Sequence, residues 1–174
     1  MSKIGAILYG IIGLIAFLFV LVGTPIDQFR SRTEDLVGNT PCLTLWGQKQ
    51  KCYSTKYDLR PAELFPGCST LVDRFKAAEG FAIISIGVLL IAALVGLVTC
   101  CCCGCLRWIA CILMVLAIAT VCIVWGLMAN MYNAKVGGCV YTPFKHDYKY
   151  GAGFALVVTG WCLIFVSLVV LNIL

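Results

Sequence analysis

The residues best suited to chemistry in this chain are its cysteines, twelve among 174 positions. They fall into three groups. Cys42, Cys52, Cys68 and Cys139 stand in polar stretches, and an even set of that kind suits an oxidising compartment, where disulfides persist. Cys100, Cys101, Cys102, Cys103 and Cys105 crowd a short stretch beside Arg107. This run reads as a set of S-acylation acceptors, as cytosolic juxtamembrane cysteines often are. Unmodified reduced thiols are the plainer alternative. A zinc site would need four ligands, usually from two paired motifs, and no second pair or histidine accompanies the run. Cys111, Cys122 and Cys162 lie singly in apolar runs, where a thiol acts as a small hydrophobe.

Little else is reactive. The one histidine, His146, sits between Lys145 and Asp147, with no partner constellation for nucleophilic or metal catalysis. There is no glycine-rich phosphate loop. Asn39-Thr40-Pro41 fails as an N-glycosylation acceptor, and so do the other asparagines. The expectation is a protein without catalytic, metal or cofactor-binding residues, and no enzyme.

The elements that position the cysteines follow from composition. The chain is 61% hydrophobic and 12% charged, with mean hydropathy +0.99. An ordinary soluble domain is about a quarter charged, so a soluble monomer is excluded. Disorder is excluded too, since it needs few apolar residues. The net charge of +5 is modest and its basic residues do not cluster as nucleic-acid binders require. Four charge-free runs remain, at 4–26, 80–106, 108–134 and 150–174. Each exceeds the roughly 20 helical residues that span a bilayer, and none alternates as barrel strands do. Four membrane helices are expected at about 4–24, 80–99, 109–130 and 151–174. The first is read as a retained signal-anchor, because its apolar stretch outruns a signal peptide's core of about 7–15 residues. The chain thus forms a single four-span membrane domain with large loops at 25–79 and 131–149 and a short one at 100–108.

Orientation is contested by two signals. The termini and the short loop hold only Lys3 and Arg107. The first large loop holds Arg30, Arg32, Lys49, Lys51, Lys56, Arg60, Arg74 and Lys76, and the second Lys135, Lys145 and Lys149. A plain count of basic residues would place the large loops in the cytosol, yet long loops obey that rule poorly. Cysteine usage arbitrates. It puts both termini and the run at 100–105 in the cytosol and the large loops outside a plasma membrane.

In the first loop, CLTLWGQKQKC at 42–52 reads as a hairpin folded about Gly47. Such a fold would set Leu45 against Lys49, Leu43 against Lys51 and Cys42 against Cys52, within disulfide reach. Cys42, Thr44 and Trp46 would share one face. CVYT at 139–142 is a candidate for a further strand, bringing Cys139 within range of Cys68. Four cysteines nonetheless allow three connectivities.

These features together resemble the amastins, tetraspan surface proteins of kinetoplastid parasites. Cys42, Leu43, Thr44, Leu45, Trp46, Gly47, Lys49 and Cys52 fit the family's loop signature, and Lys51 departs from it. RFKAAEGFAIISI (74–86), CLRW (105–108), CIVW (122–125) and YGAGFAL (150–156) extend the similarity along essentially the whole chain. The amastins in turn resemble the claudins. That likeness implies a claudin-like, all-α transmembrane four-helix bundle, left-handed, with a small disulfide-braced extracellular β-sheet. Two claudin features are missing: the cysteines bracket Trp46 instead of both following it, and a cytosolic tail after 171–174 is not expected. Tight-junction function is not carried over.

No Asp, Glu, Lys, Arg or His lies within the expected spans, which argues against a pump or proton-coupled transporter. Small residues four apart, at Ala6 and Gly10, Ala92 and Gly96, and Gly151 and Ala155, favour close helix packing over a homo-oligomer contact. The reading is therefore a non-enzymatic surface protein in the lipid bilayer, whose outer loops contact a protein or membrane partner. No cofactor or nucleic acid is involved. An oligomeric pore or aid to solute movement, by analogy with claudins, is the alternative.

Overall fold

The computed structural model describes residues 3–32, 40–99, 106–135, 137 and 139–173. Four long helices dominate: α1 (Lys3–Gly23), α3 (Ser69–Thr99), α4 (Leu106–Asn133) and α5 (Ala152–Ile173), with a single-turn α2 (Pro61–Leu64) ahead of α3. All four long helices have the length and apolarity to cross a membrane. They form a closed ring in which α1 packs on α5 and α3, α3 on α4, and α4 on α5.

The buried positions explain the ring. On α4 the main series is Ala110, Met114, Ala117, Val121, Val124, Met128 and Met131, with Thr120 buried beside it, and on α5 Gly153, Val157, Gly160, Ile164, Ser167 and Leu171. On α3, Leu71, Phe75, Ala78, Ala82, Ser85, Leu89 and Ala92 continue the rule. Each series steps alternately by four and three residues, a 3.5-residue repeat that winds helices into a left-handed supercoil. The opposite faces carry exposed Ile11, Leu18, Ile84, Ile91, Ile112 and Val169. An apolar belt that wide has lipid as its solvent.

Most hydroxyls inside the bundle find carbonyl partners within it, whereas the buried Trp125 Nε1 has none among the described residues. Ser85 and Thr120 donate to the Phe81 and Leu116 carbonyls of their own helices. Tyr9 donates to the Ala92 carbonyl, and Ser167 to that of Tyr9. Gly10 faces Leu97 and Gly96 faces Tyr9, so these small residues serve contacts within the bundle.

Above the ring sits a four-stranded antiparallel sheet of β1 (Phe29–Ser31), β2 (Cys42–Thr44), β3 (Gly47–Lys49) and β4 (Tyr148–Tyr150), in the order β3-β2-β1-β4. The neighbouring helices α1 and α5 adjoin the neighbouring strands, α1 running through 24–28 into β1 and β4 leading directly into α5. Gln28 Nε2 donates to the Gly23 carbonyl at 2.7 Å, and the amides of Gly151 and Gly153 donate to the carbonyls of Gln28 and Asp27, both at 2.9 Å. Cap and bundle are thereby spliced through their backbones.

Three expectations need correcting. First, the hairpin turns at Leu45-Trp46, and Gly47 begins the return strand. The register pairs Thr44 with Gly47, Leu43 with Gln48 and Cys42 with Lys49. Thr44 Oγ1 closes the turn by donating to the Gly47 carbonyl at 2.9 Å and accepting from the Trp46 amide at 3.1 Å. Gly47 is required elsewhere: it has φ +147°, and a Cβ there would strike the Leu59 carbonyl. Trp46 accordingly lies in the turn, beyond the β2 ladder. Second, CVYT at 139–142 is not a strand. The chain turns at Phe144, whose carbonyl accepts from the Asp147 and Tyr148 amides, and the strand forms just before α5. Third, α3 begins at Ser69 rather than near residue 80. Its first turns lie outside the apolar run and bury Leu71 and Phe75 under the cap.

Candidate functional site: the disulfide-braced cap and its cleft

The cap is held by two covalent bridges and an aromatic core. Cys42 is bonded to Cys52, with Cα atoms 5.3 Å apart, and so carries the bend beyond β3 back to β2. Cys68 is bonded to Cys139, also at 5.3 Å, and joins the start of α3 to the segment following α4. Phe29 on β1 packs against Tyr132, Phe144 and Tyr150 at centroid distances of 5.5–6.1 Å. Phe65 contacts Phe75, Tyr141 and Phe144. Tyr150 stacks on Tyr132 at 4.0 Å and on Phe154 at 4.4 Å, extending the cluster down onto α4 and α5. Burial lifts the Tyr148 phenol above its ordinary pKa, with the Asp147 carboxylate adding to the effect. Tyr150 is raised mainly by burial, against a hydrogen bond from Asn133.

The signature residues turn out to be the foundation of the hairpin. Cys42, Leu43, Thr44 and Leu45 are buried, as are Gly47 and Lys49, while Trp46 is half-buried. Lys49 lays its ammonium 4.7 Å from the centroid of the Tyr57 ring, a cation–π contact. The motif thus chiefly builds the hairpin and leaves the half-buried Trp46 at its tip.

Sequence reasoning did not single out Asp27 and Arg30. Asp27 is 3% exposed, and its Oδ2 lies 3.1 Å from Arg30 Nε. That nitrogen makes no hydrogen bond of good geometry, so the contact is one of charge. Arg30 Nη2 also reaches Cys52 Sγ at 3.8 Å, and the guanidinium lies 5.6 Å from the Tyr53 ring centroid. One cation therefore braces the root of β1, the first disulfide and the loop beyond it. The cue available in the sequence was an i,i+3 opposite-charge pair directly after an apolar span.

A cleft of about 840 Å³ opens between the hairpin tip and the outer part of α3. Trp46 and Tyr57 supply its aromatic wall, Lys56, Arg60 and Lys76 its positive charges, and Asp58, Glu63 and Glu79 its negative ones. Asp58 Oδ2 accepts from the Gln50 amide and Glu63 Oε2 from the Arg60 amide, so both carboxylates are engaged in shaping the loop. No group of three or more metal-ligating side chains occurs among the described residues. His146 is exposed on the second loop. The run Cys100, Cys101, Cys102, Cys103 and Cys105 lies outside the described residues.

Four apolar helices bearing a small disulfide-braced sheet define a multi-pass membrane protein of the tetraspan class. The family model of amastin surface glycoproteins matches residues 14–171, and the chain belongs to that family. It is accordingly a multi-pass protein of the cell surface, seated in a lipid bilayer. No curated protein matches it.

Proposed function

We propose that this protein is a non-enzymatic contact protein, with its cap facing outward from the plasma membrane and both termini in the cytosol. The observation that carries the reading is the cap's construction: a rigid, cross-linked platform fused to the bundle, rimmed by exposed Lys51, Lys56, Lys135, Lys145 and Lys149. Its large loops hold eleven basic residues against eight acidic ones. Such a surface attracts an anionic membrane or protein once within about a Debye length, roughly 8 Å at physiological salt. The two bridges support an outward cap, because disulfides persist in oxidising surroundings. On this reading Cys100, Cys101, Cys102, Cys103 and Cys105 face the cytosol as S-acylation acceptors.

Full-length protein in liposomes, cap outward, tests the proposal. Those liposomes should cluster with vesicles containing phosphatidylserine, and K145E/K149E should weaken the clustering. Clustering no greater than that of protein-free liposomes would refute the contact role. Conductance across the same liposomes would point instead to an oligomeric pore.

A further inference from the structure

The cleft offers a second activity, directed at the protein's own membrane. Glu79 immediately precedes the apolar run of α3, and Lys76 lies one turn further out on the same helix. At 1.5 Å per residue, Lys76 stands about 6 Å above Gly80, inside a headgroup layer about 5–8 Å deep. Trp46 lines the cleft together with both residues, and tryptophan favours this interfacial depth. The cleft therefore lies where lipid headgroups lie.

Its charges select among them. Asp58 and Glu63 are engaged by backbone amides, whereas Glu79 makes no such bond among the described residues. Nor does any ion pair within 4 Å join Glu79 to Lys76 or Arg60 among those residues. An anion alone would meet the Glu79 carboxylate, and a cation alone would meet Lys76 and Arg60. A ligand carrying both charges can pair with both sets, and a Trp46 ring beside them suits an ammonium. The volume falls within the usual range for small-ligand sites, about 300–1,000 Å³.

We propose that the cleft binds the zwitterionic phosphodiester–amine headgroup of a phospholipid in the leaflet on the cap's side. Arg60 and Lys76 take the phosphate, and Glu79 with Trp46 takes the amine. This goes beyond contact with a second membrane and does not depend on it.

Native mass spectrometry of the full chain in detergent tests the site. Phosphatidylcholine should be retained above phosphatidylglycerol, which lacks the amine, and above diacylglycerol, which lacks both charges. R60Q/K76Q should reduce phosphatidylcholine retention about tenfold, the equivalent of losing a charged hydrogen bond. E79Q should narrow the preference for phosphatidylcholine over phosphatidylglycerol. H146Q, on the second loop, should change neither. Equal retention of phosphatidylcholine and diacylglycerol by the unaltered protein would overturn the proposal. So would undiminished retention in a folded R60Q/K76Q. Soluble glycerophosphocholine competing as well as the intact lipid would assign the cleft to a free solute and equally overturn it. Should the double variant misfold, the lipid series on the unaltered protein and E79Q still decide.

Discussion

The carbonyl of Asp27 accepts a hydrogen bond from the amide of Gly153 at 2.9 Å, while the Asp27 carboxylate faces Arg30. One residue thus ties the end of the first span to the start of the fourth and to the first strand of the cap. Movement of the cap relative to the bundle would have to break this knot, which makes it the natural place to probe the fold.

Gly153 lies against three backbone carbonyls: a Cβ there would stand 2.6 Å from that of Gly23, 2.7 Å from that of Ile26 and 2.9 Å from that of Asp27. Backbone cannot yield as a side-chain tip can. Gly153→Ala should therefore destabilise the protein by about 2–3 kcal/mol, within the range for overpacked sites. Thermal unfolding in detergent will read this as a lowered midpoint.

Asp27 and Arg30 should respond unequally to mutation. Arg30→Ala strands a carboxylate that is 3% exposed, whereas Asp27→Asn leaves a guanidinium that is 27% exposed and can turn to water. Arg30→Ala should cost about 2–3 kcal/mol and Asp27→Asn about 1 kcal/mol. Chemical denaturation of both variants, read by the fluorescence of the cap tryptophan Trp46, will check the order.

The two disulfides close sequence separations of 10 and 71 residues. Counted along the chain, the second would contribute more. Yet α3 and α4 are apolar enough to span a bilayer and should stay inserted when the cap unfolds, which leaves the loop it effectively closes short. Cys52→Ser and Cys139→Ser should then each cost a similar amount, about 2–3 kcal/mol. Hydrogen exchange at the β1 and β2 amides is the measurement, and Cys139→Ser costing far more would contradict it.

Lys49 is 8% exposed, and its ammonium rests on the Tyr57 ring. Tyr57→Leu should destabilise the hairpin by about 1 kcal/mol, and Lys49→Met in the same background should add little further. A double-mutant cycle on thermal stability isolates that coupling.

Much of this architecture was legible in the residues. The spans were visible as charge-free runs, since lipid tolerates few charges, and the bend closed by Cys42 and Cys52 was visible in the glycine and the β-favouring residues between them. The hairpin register was not. Gly47 suggested the tip of a turn, but its lack of a side chain serves the approach of Leu59, a tertiary contact invisible to local reasoning. The inner face of each helix was equally hidden. In a bilayer both faces are apolar, so hydrophobic periodicity loses its contrast, and size carries the signal instead: Ala78, Ala82, Ala92, Ala110, Ala117 and Gly160 point inward. The cleft could not be foreseen, because its charges come from segments near 56–63 and 76–79 that only the folded hairpin brings together.

In the proposed topology an outward, cystine-braced cap stands on a bundle whose short loop faces the cytosol. Labelling of intact cells with a membrane-impermeant maleimide tests it most directly, with and without prior reduction. Cys42, Cys52, Cys68 and Cys139 should label only after reduction. Cys100, Cys101, Cys102, Cys103 and Cys105 should label only after permeabilisation and hydroxylamine release of acyl groups. Labelling of Cys101 on intact cells, with Cys42 unlabelled even after reduction, would contradict the account.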